Sequence, residues 1–481
     1  MDVTVVGSGM GALSAGVLLS QQGLKVRMID QNYIPGGCTG SYWRKGFVFE
    51  AGATTIVGLD KYMPLAWLLD KTGIKLPLKR LPVPMQVHLS TSKTLTRHQH
   101  LETWIEEASR VFGEKGQAKF WRFCYEISQF VWEASTRYTN FPPANFKDLI
   151  QLAAKAKPSN LSKIHLAFKS MDWLLKKFGL YENTAFRNFV NEQLLITAQN
   201  HAEEVNVLFG ATAICYTNYN NYYADGGLSS IVNPMVEYME SKGGVLISRK
   251  KIVKVVRQKN LYEFETDKGE KYQSEYFISG IPVNNTAEIY EAGIARKKTI
   301  LPSNKLYSAF QMGIGFKTSN KPHVLHHQIH LDAPMPYTGS HSIFLSLSHP
   351  EDSARCEPGH AVASISTHIK DPGVFAHYDA DVLENFIIEK LEQLGFLEKE
   401  AIVYQHSSGP KAWQKWTGRA MGFVGGYPQY LSIKPWQMNE ARLDKHKAYQ
   451  VGDTVYPGQG IPGAVLSGII ASQKLASDWL K

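Results

Sequence analysis

The first thirty residues constrain this chain more than any other stretch. Val3-Thr4-Val5-Val6 is an apolar, β-branched run of strand length. Gly7-Ser8-Gly9-Met10-Gly11-Ala12 follows at once, a G-x-G-x-x-A turn, with Gly16 four residues on and Gly23 where a helix would end. Lys25–Ile29 supplies a second strand, and Asp30 stands at its end. Gly7 permits the tight turn, Gly9 lets a pyrophosphate approach the backbone, and Gly11 completes the glycine set. Ala12 and Gly16 permit close packing of helix on strand. The helix amino terminus offers unpaired N–H groups and partial positive charge to phosphates. Asp30 is placed to accept hydrogen bonds from ribose hydroxyls, and an acid there argues against a 2′-phosphate. The pattern predicts a doubly wound α/β domain of Rossmann type that binds a dinucleotide.

The next segment bears on which dinucleotide. Gln31–Ser41 contains a second glycine pair, Gly36-Gly37, followed by Cys38, so backbone can again pass close to a cofactor. Gly46–Ile56 reads as a short strand entering another tight loop, where NAD enzymes proceed to an ordinary strand and helix. At the far end, Tyr449-Gln450-Val451 runs into Gly452-Asp453, then a Pro-Gly-rich loop, then a small-residue helix opening near Gly460, Ile461 and Pro462. An acid at a strand end can bind ribityl hydroxyls. A helix amino terminus can stabilise negative charge on a reduced flavin ring. The two ends therefore predict one FAD site, for which they must meet in one domain.

Composition sets the outer limits. The chain has 481 residues, 44% hydrophobic and 20% charged, which suits two or three globular domains. Its 52 basic and 43 acidic residues leave a net charge of +9, moderate for this length and by itself as compatible with a nucleic acid as with an anionic membrane surface. Four dispersed cysteines, Cys38, Cys124, Cys215 and Cys356, suggest neither zinc nor a disulfide framework. The chain enters its first strand without a basic, apolar leader, and it has no apolar run of about 18 residues. A cytoplasmic protein, able to attach peripherally to a membrane and with no nucleic-acid partner, is expected.

With these motifs in place, the chain resembles the phytoene desaturase family of amine-oxidase-like flavoproteins. That family includes carotenoid desaturases, carotenoid isomerases and retinol saturases. The resemblance runs through Gly7–Asp30, Gly36–Gly58, Tyr222–Val255, Thr417–Gly426 and Val451–Gly468. Tyr223–Leu228 resembles the family's glycine pair that opens a helix, and Ile252-Val253-Lys254-Val255 resembles the strand whose backbone faces the adenine. Thr417-Gly418-Arg419 and Gly425-Gly426-Tyr427-Pro428 resemble its late glycine motifs. Gly36-Gly37-Cys38 departs from the Gly-Gly-Arg of phytoene desaturases, and is similar to retinol saturases and late-acting desaturases. Gly52–Leu59 looks most like desaturases that introduce the C-3,4 double bond of a 1-hydroxylated acyclic end.

The resemblance implies an FAD domain from about 1–70, 205–300 and 420–481. It implies a mostly helical insertion over 71–204 that covers the substrate, and substrate-domain strands over 301–419. Within the insertion, Leu161, Ile164, Phe168, Met171, Leu175 and Phe178 recur at helical spacing. Seven lysines against two aspartates between Lys147 and Lys177 make the stretch a candidate basic amphipathic anchor, or else a core-facing helix with a solvated face. His323–His327 contains H-x-x-H-H, but alternation in Gln328–Leu331 suggests a strand that would point neighbouring histidines apart, so no metal is expected.

The implied chemistry is desaturation: a hydride leaves one carbon for the flavin and a proton leaves its neighbour. No second G-x-G-x-x-G is visible, so electrons are expected to pass to oxygen or a quinone rather than through NADPH. Thr54, Thr55, Tyr222, Tyr223 and Tyr427 lie in loops expected near the ring, and the sequence singles out no general base. An isomerase uses the same FAD without net oxidation, and a saturase runs towards reduction. Lipid carriers such as the Rab GDP-dissociation inhibitors share the fold without the flavin. Intact motifs at both ends argue against that last reading.

Overall fold

Val3–Val6 is fully buried and forms the middle strand of a five-stranded sheet. Val26–Ile29 flanks it on one side and Tyr276–Ser279 on the other, with Val5 opposite both Met28 and Ile278. Val245–Ile247 and Ala448–Gln450 complete the edges, and every pairing is parallel. A parallel sheet must be covered on both faces. Side-chain alternation divides the work. Val3, Val5, Met28 and Ile278 pack against the helices Met10–Gln21, Ser229–Ser241 and Gly460–Trp479. Val6, Ile29 and Phe277 point the other way, where they meet an antiparallel sheet of Ile252–Gln258, Leu261–Thr266 and Lys271–Ser274. The structure is a computed structural model that describes residues 1–52, 54–157, 160, 162–291, 301–374 and 377–480.

The two ends of the chain approach closely enough for backbone to touch backbone. A Cβ on Gly11 would lie 2.8 Å from the Gly452 nitrogen and 3.0 Å from the Ala464 carbonyl oxygen. A Cβ on Gly468 would lie 2.5 Å from the Gly11 oxygen. Only hydrogen at both positions lets the first and last helices touch. Ala12 does comparable work against the sheet, because its Cβ would be 2.6 Å from any Cβ at Gly280.

Beyond this unit lies a seven-stranded mixed sheet. Its order is Ile402–Ser408, Tyr307–Lys317, His360–Lys370, Ser342–Leu347, His326–His330, Met85–His88 and Thr94–Arg97. The last two strands come from the segment expected to be mostly helical, and Met85–His88 pairs in parallel with His326–His330. His326 and His327 point to opposite faces of their strand. His326 Nδ1 lies 2.8 Å from Ser346 Oγ, and His327 Nδ1 lies 3.2 Å from His88 Nε2. Leu101–Phe112, Gln117–Arg137, Thr184–Ala198 and Val207–Ile214 then pack around Trp104, Trp121, Phe186 and Phe189.

The stripe read in the 160s is not one helix. It falls across a 3-10 turn, Ile164–Phe168, and a separate helix, Met171–Lys177. The Ser170 side chain accepts a hydrogen bond from the Trp173 N–H and caps the new helix, so the periodicity crosses a break in the chain direction. Met171 and Leu175 are fully buried in the helical core, whereas Ile164 and Phe168 are exposed. Leu161 lies outside the described residues.

The exposed amphipathic element is instead Phe146–Lys155. Phe146 is 75% exposed, Leu149 52% and Ile150 54%, an apolar face at i, i+3, i+4 spacing turned to solvent. The opposite side is clamped. Asp148 is buried and accepts hydrogen bonds from Arg442 at 2.7 and 3.1 Å and from the Ala144 N–H at 2.9 Å. Burial would raise this carboxyl, but the Arg442 hydrogen bonds and the Lys474 charge hold it below its ordinary value. Arg442 also binds Asp478, near the end of the last helix, at 2.7 Å. Among the described residues, no helix is long and apolar enough to cross a membrane.

The helix contact yields a test whose sign is informative. Gly→Ala inside an exposed helix gains about 1 kcal/mol. Gly468→Ala should instead lose about 1–3 kcal/mol, because the added methyl meets backbone that cannot give way. Urea unfolding of the purified proteins measures the difference, and a stabilised variant would show that the two helices are free to part.

Candidate functional site

The first loop, the second glycine pair and the last strand surround one cavity of ≈ 730 Å³. Gly7, Gly9 and Gly11 line its floor. Gly9 has φ −65° and ψ 167°, backbone that any residue adopts, yet a Cβ there would meet nothing within 4 Å. Its missing side chain is therefore cavity. The Gly36 N–H donates to the Ser8 oxygen at 2.9 Å, which locks the second glycine pair onto the first loop. Gly36, Gly37 and Cys38 thus form the adjoining wall.

Asp30 lines the cavity with its carboxylate already oriented. Its Oδ2 accepts from the Ser8 N–H at 2.7 Å and Ser8 Oγ at 2.6 Å, and its Oδ1 accepts from the Asn32 N–H at 2.8 Å. The acid at the end of the second strand thereby fixes the turn as well as facing the cavity. Ile252 and Val253, at the start of the antiparallel sheet, line the same end.

Gly452, Asp453, Gly460 and Ile461 close the cavity from the far end of the chain. Gly452 has φ +109°, a left-handed conformation that glycine adopts without strain. Arg419 Nη2 donates to Asp453 Oδ2 at 2.7 Å, an ion pair largely withdrawn from solvent. Burial works against the Arg419 charge, but Asp453 beside it holds its pKa above the ordinary value. Arg419 Nη1 is buried without an acceptor. Burial pushes the Cys38 thiol up despite Arg419 nearby, so it stands in the wall as a neutral group.

The expected substrate residues divide. Thr54 and Thr55 line the cavity. Tyr222, Tyr223 and Tyr427 do not. Tyr222 and Tyr223 lie in a two-stranded sheet with Leu78–Arg80, and the Tyr223 hydroxyl donates to Asp352 at 2.7 Å. The Tyr427 hydroxyl donates to Asn284 Oδ1 at 2.7 Å. Each of these two hydroxyls is engaged within the protein. Ala12 also lies behind the wall rather than in it, in the helix–sheet contact described above. Ala53 lies outside the described residues.

The cavity continues away from the glycine loops. Val131, Trp132, Ile196, Phe209, Ala213 and Phe344 give it an apolar stretch, drawn from three helices and one strand. Gln199, Gln311, Ser366 and His368 give it a polar one. None of these lies in a motif, and sequence reasoning found none of them. The one local hint is Gln199, which ends the helix Thr184–Ala198 with φ +54°.

Comparison with known proteins agrees with this arrangement. The profile of the flavin-containing amine oxidoreductase family matches residues 13–476. Prolycopene isomerase 1 of an Oncidium hybrid cultivar is 22% identical over 506 residues, 99% of this chain and 84% of the relative. A lycopene-forming phytoene desaturase from Pseudescherichia vulneris is 22% identical over 502 residues, covering 98% of this chain and 99% of the relative. The solved structure of wild-type putrescine oxidase bound to putrescine superimposes with a TM-score of 0.64 at 15% identity, over 99% of both chains. It shares the fold.

FAD is the cofactor that fits. Gly9 leaves room beside the loop, Arg419 presents an unpaired cationic donor, and the chain's two ends offer a carboxylate each at Asp30 and Asp453. Gly9→Val should abolish FAD retention while the protein still folds, since the extended backbone at Gly9 suits valine and only the cavity is filled. The ratio of flavin to protein absorbance, with far-ultraviolet circular dichroism as the folding control, tests this. A yellow Gly9→Val protein would remove the loop from the binding site.

Proposed function

The chain belongs to the family of flavin-containing amine oxidoreductases, and from that premise we propose that it is an FAD-dependent carotenoid desaturase. The observation that carries this reading is the continuity of the cavity, from the glycine loops to a stretch walled by Val131, Trp132, Phe209 and Phe344. A polyene has weakly polarised C–H bonds, so a desaturase must position it mainly by shape and apolar contact. FAD, when bound, supplies the acceptor for a hydride. The apolar wall excludes water and holds the chain against the cofactor space, while Thr54 and Thr55 border that space. The second hydrogen leaves as a proton, and the electrons pass on to oxygen or a quinone. The preferred bond is C-3,4 of an acyclic 1-hydroxylated end, which the Gly36–Leu59 stretch supports by resemblance.

A second reading rests on a specific observation. Prolycopene isomerases match nearly the whole chain, as the phytoene desaturase does, so rearrangement without net oxidation competes with desaturation. Mass and colour separate the two. Desaturation removes two hydrogens per step and lengthens conjugation, so the product absorbs at longer wavelength. Isomerisation changes the spectrum at constant mass, and saturation adds two hydrogens and shortens the wavelength. Incubation with 1-hydroxylated acyclic carotenoids, lycopene and phytoene, with oxygen and then a quinone, should give loss of two hydrogens from the hydroxylated end. Constant mass with all three substrates, with the flavin present, would sink the desaturase.

The substrate is proposed to be drawn from a membrane to which the protein attaches peripherally. Phe146, Leu149 and Ile150 are the supporting observation, with Lys155 on the same helix, while Lys147 is held by the Ser477 oxygen at 2.6 Å and by Asp478. Of the lysines in the wider stretch, Lys157 pairs with Glu133 and Lys163 with Glu126, so much of its charge is compensated at the surface. Apolar insertion should dominate, at about 1.5–3 kcal/mol for each side chain fully buried. Leu149→Glu with Ile150→Glu should therefore abolish co-sedimentation with phosphatidylglycerol-containing vesicles. Binding that survives both changes would place the membrane surface elsewhere.

A further inference from the structure

The polar stretch of the cavity is assembled from distant parts of the chain. Gln311 stands opposite Ser366 on neighbouring strands, and Ala309 opposite His368. The period-two alternation of strands puts all four on one face, and all four line the cavity. Gln199 approaches from the helical side, with Nε2 3.1 Å from His368 Nε2. Gln459 approaches from the loop before the last helix, its amide donating to the Ile196 oxygen at 3.3 Å. Gly425 makes room for both amides. A Cβ there would lie 2.6 Å from Gln199 Nε2 and 2.6 Å from Gln459 Oε1.

Two acceptors in this group are left over. Gln199 is 3% exposed, and its Oε1 is buried without a partner. Gln459 Oε1 is likewise buried and unpartnered. Burial pulls the His368 imidazole down to about 4, with His201 adding to the effect, so near neutral pH the ring is uncharged. Gln199, Gln459 and His368 together therefore offer oxygen acceptors and carry no formal charge of their own. A buried acceptor left unpaired is costly, so a fold that seats two in a cavity wall favours an occupant that brings a donor. A hydrocarbon has none. A hydroxyl has one, together with an oxygen that can accept from a neighbouring amide or imidazole.

We propose that Gln199 and Gln459, beside His368, form a subsite for an alcohol group on the substrate, so that the enzyme selects an oxygenated polyene over the hydrocarbon of the same length. This rests on the polyene reading above and extends it by assigning residues to the recognition. Binding can be read without turnover, from the perturbation of the flavin absorbance when ligand is titrated into the FAD-loaded enzyme. Wild type should bind a 1-hydroxylated acyclic carotenoid at least about tenfold more tightly than its unhydroxylated counterpart, both in detergent micelles. Gln459→Leu and Gln199→Leu should bring that ratio close to one with FAD content unchanged. Gln459→Asn, which keeps a neutral amide, should retain more of the preference than Gln459→Leu does. Equal binding of the two ligands by wild type overturns the subsite. So does loss of FAD from either leucine variant with the ratio intact, since the amides would then serve the cofactor. If Gln199→Leu does not fold, the two Gln459 variants decide alone. A tenfold preference with no desaturation would leave the subsite standing and refute the reaction instead.

Discussion

The cavity between the two ends of the chain depends on a contact between two helices whose backbones touch, with only the small side chains of Ser14 and Ser467 beside the point of contact. The Met10–Gln21 helix begins at the first glycine loop and the Gly460–Trp479 helix follows the last. Gly11 and Gly468 bring their backbones together, and Gly452 is caught in the same contact. A glycine inside a helix is ordinarily a loss of about 1 kcal/mol, so Gly468 is a local weakness that only a tertiary contact offsets. What the contact achieves is placement. Residues more than four hundred apart in the chain become two sides of one cleft, each ending in a carboxylate held by a hydrogen-bond donor: Asp30 by Ser8, and Asp453 by Arg419.

This explains which parts of the molecule were legible in advance. The first glycine loop, the second glycine pair and the Gly452-Asp453 turn are each local, because turn geometry and close backbone approach select residue types within a few positions. That they meet around one cavity was expected from chemistry, since each half lacks what the other supplies. The tyrosines misled for the same reason. Tyr222, Tyr223 and Tyr427 sit beside glycine motifs in sequence, but proximity along the chain does not say which way a ring points, and two hydroxyls found partners inside the protein. The polar stretch was invisible because Gln311 meets Ser366 only through the register of an eleven-residue antiparallel pair. No local pattern encodes that meeting.

Periodicity failed in an instructive place. The stripe from Ile164 to Phe178 keeps helical spacing across a residue, Ser170, that caps a new helix, so half of it turns into the core. The apolar face that does reach solvent is one helix earlier, where Phe146, Leu149 and Ile150 are only three letters in a run of mixed residues. Its identity as a surface comes from Asp148, a carboxylate between them in sequence that is buried against Arg442. Removing one partner from such a buried pair costs about 3–5 kcal/mol, which fixes the helix orientation more firmly than its own amphipathicity does.

That clamp gives the last helix a second role. Gly460 opens it at the cofactor cleft, and Asp478, close to its other end, holds Arg442 and through it Asp148. At 1.5 Å per residue the span between Gly460 and Asp478 is roughly 27 Å. The helix is thus a strut, with the cleft at one end and the solvent-facing apolar helix braced at the other. Anything resting against Phe146 and its neighbours is kept at a set stand-off from the reactive centre.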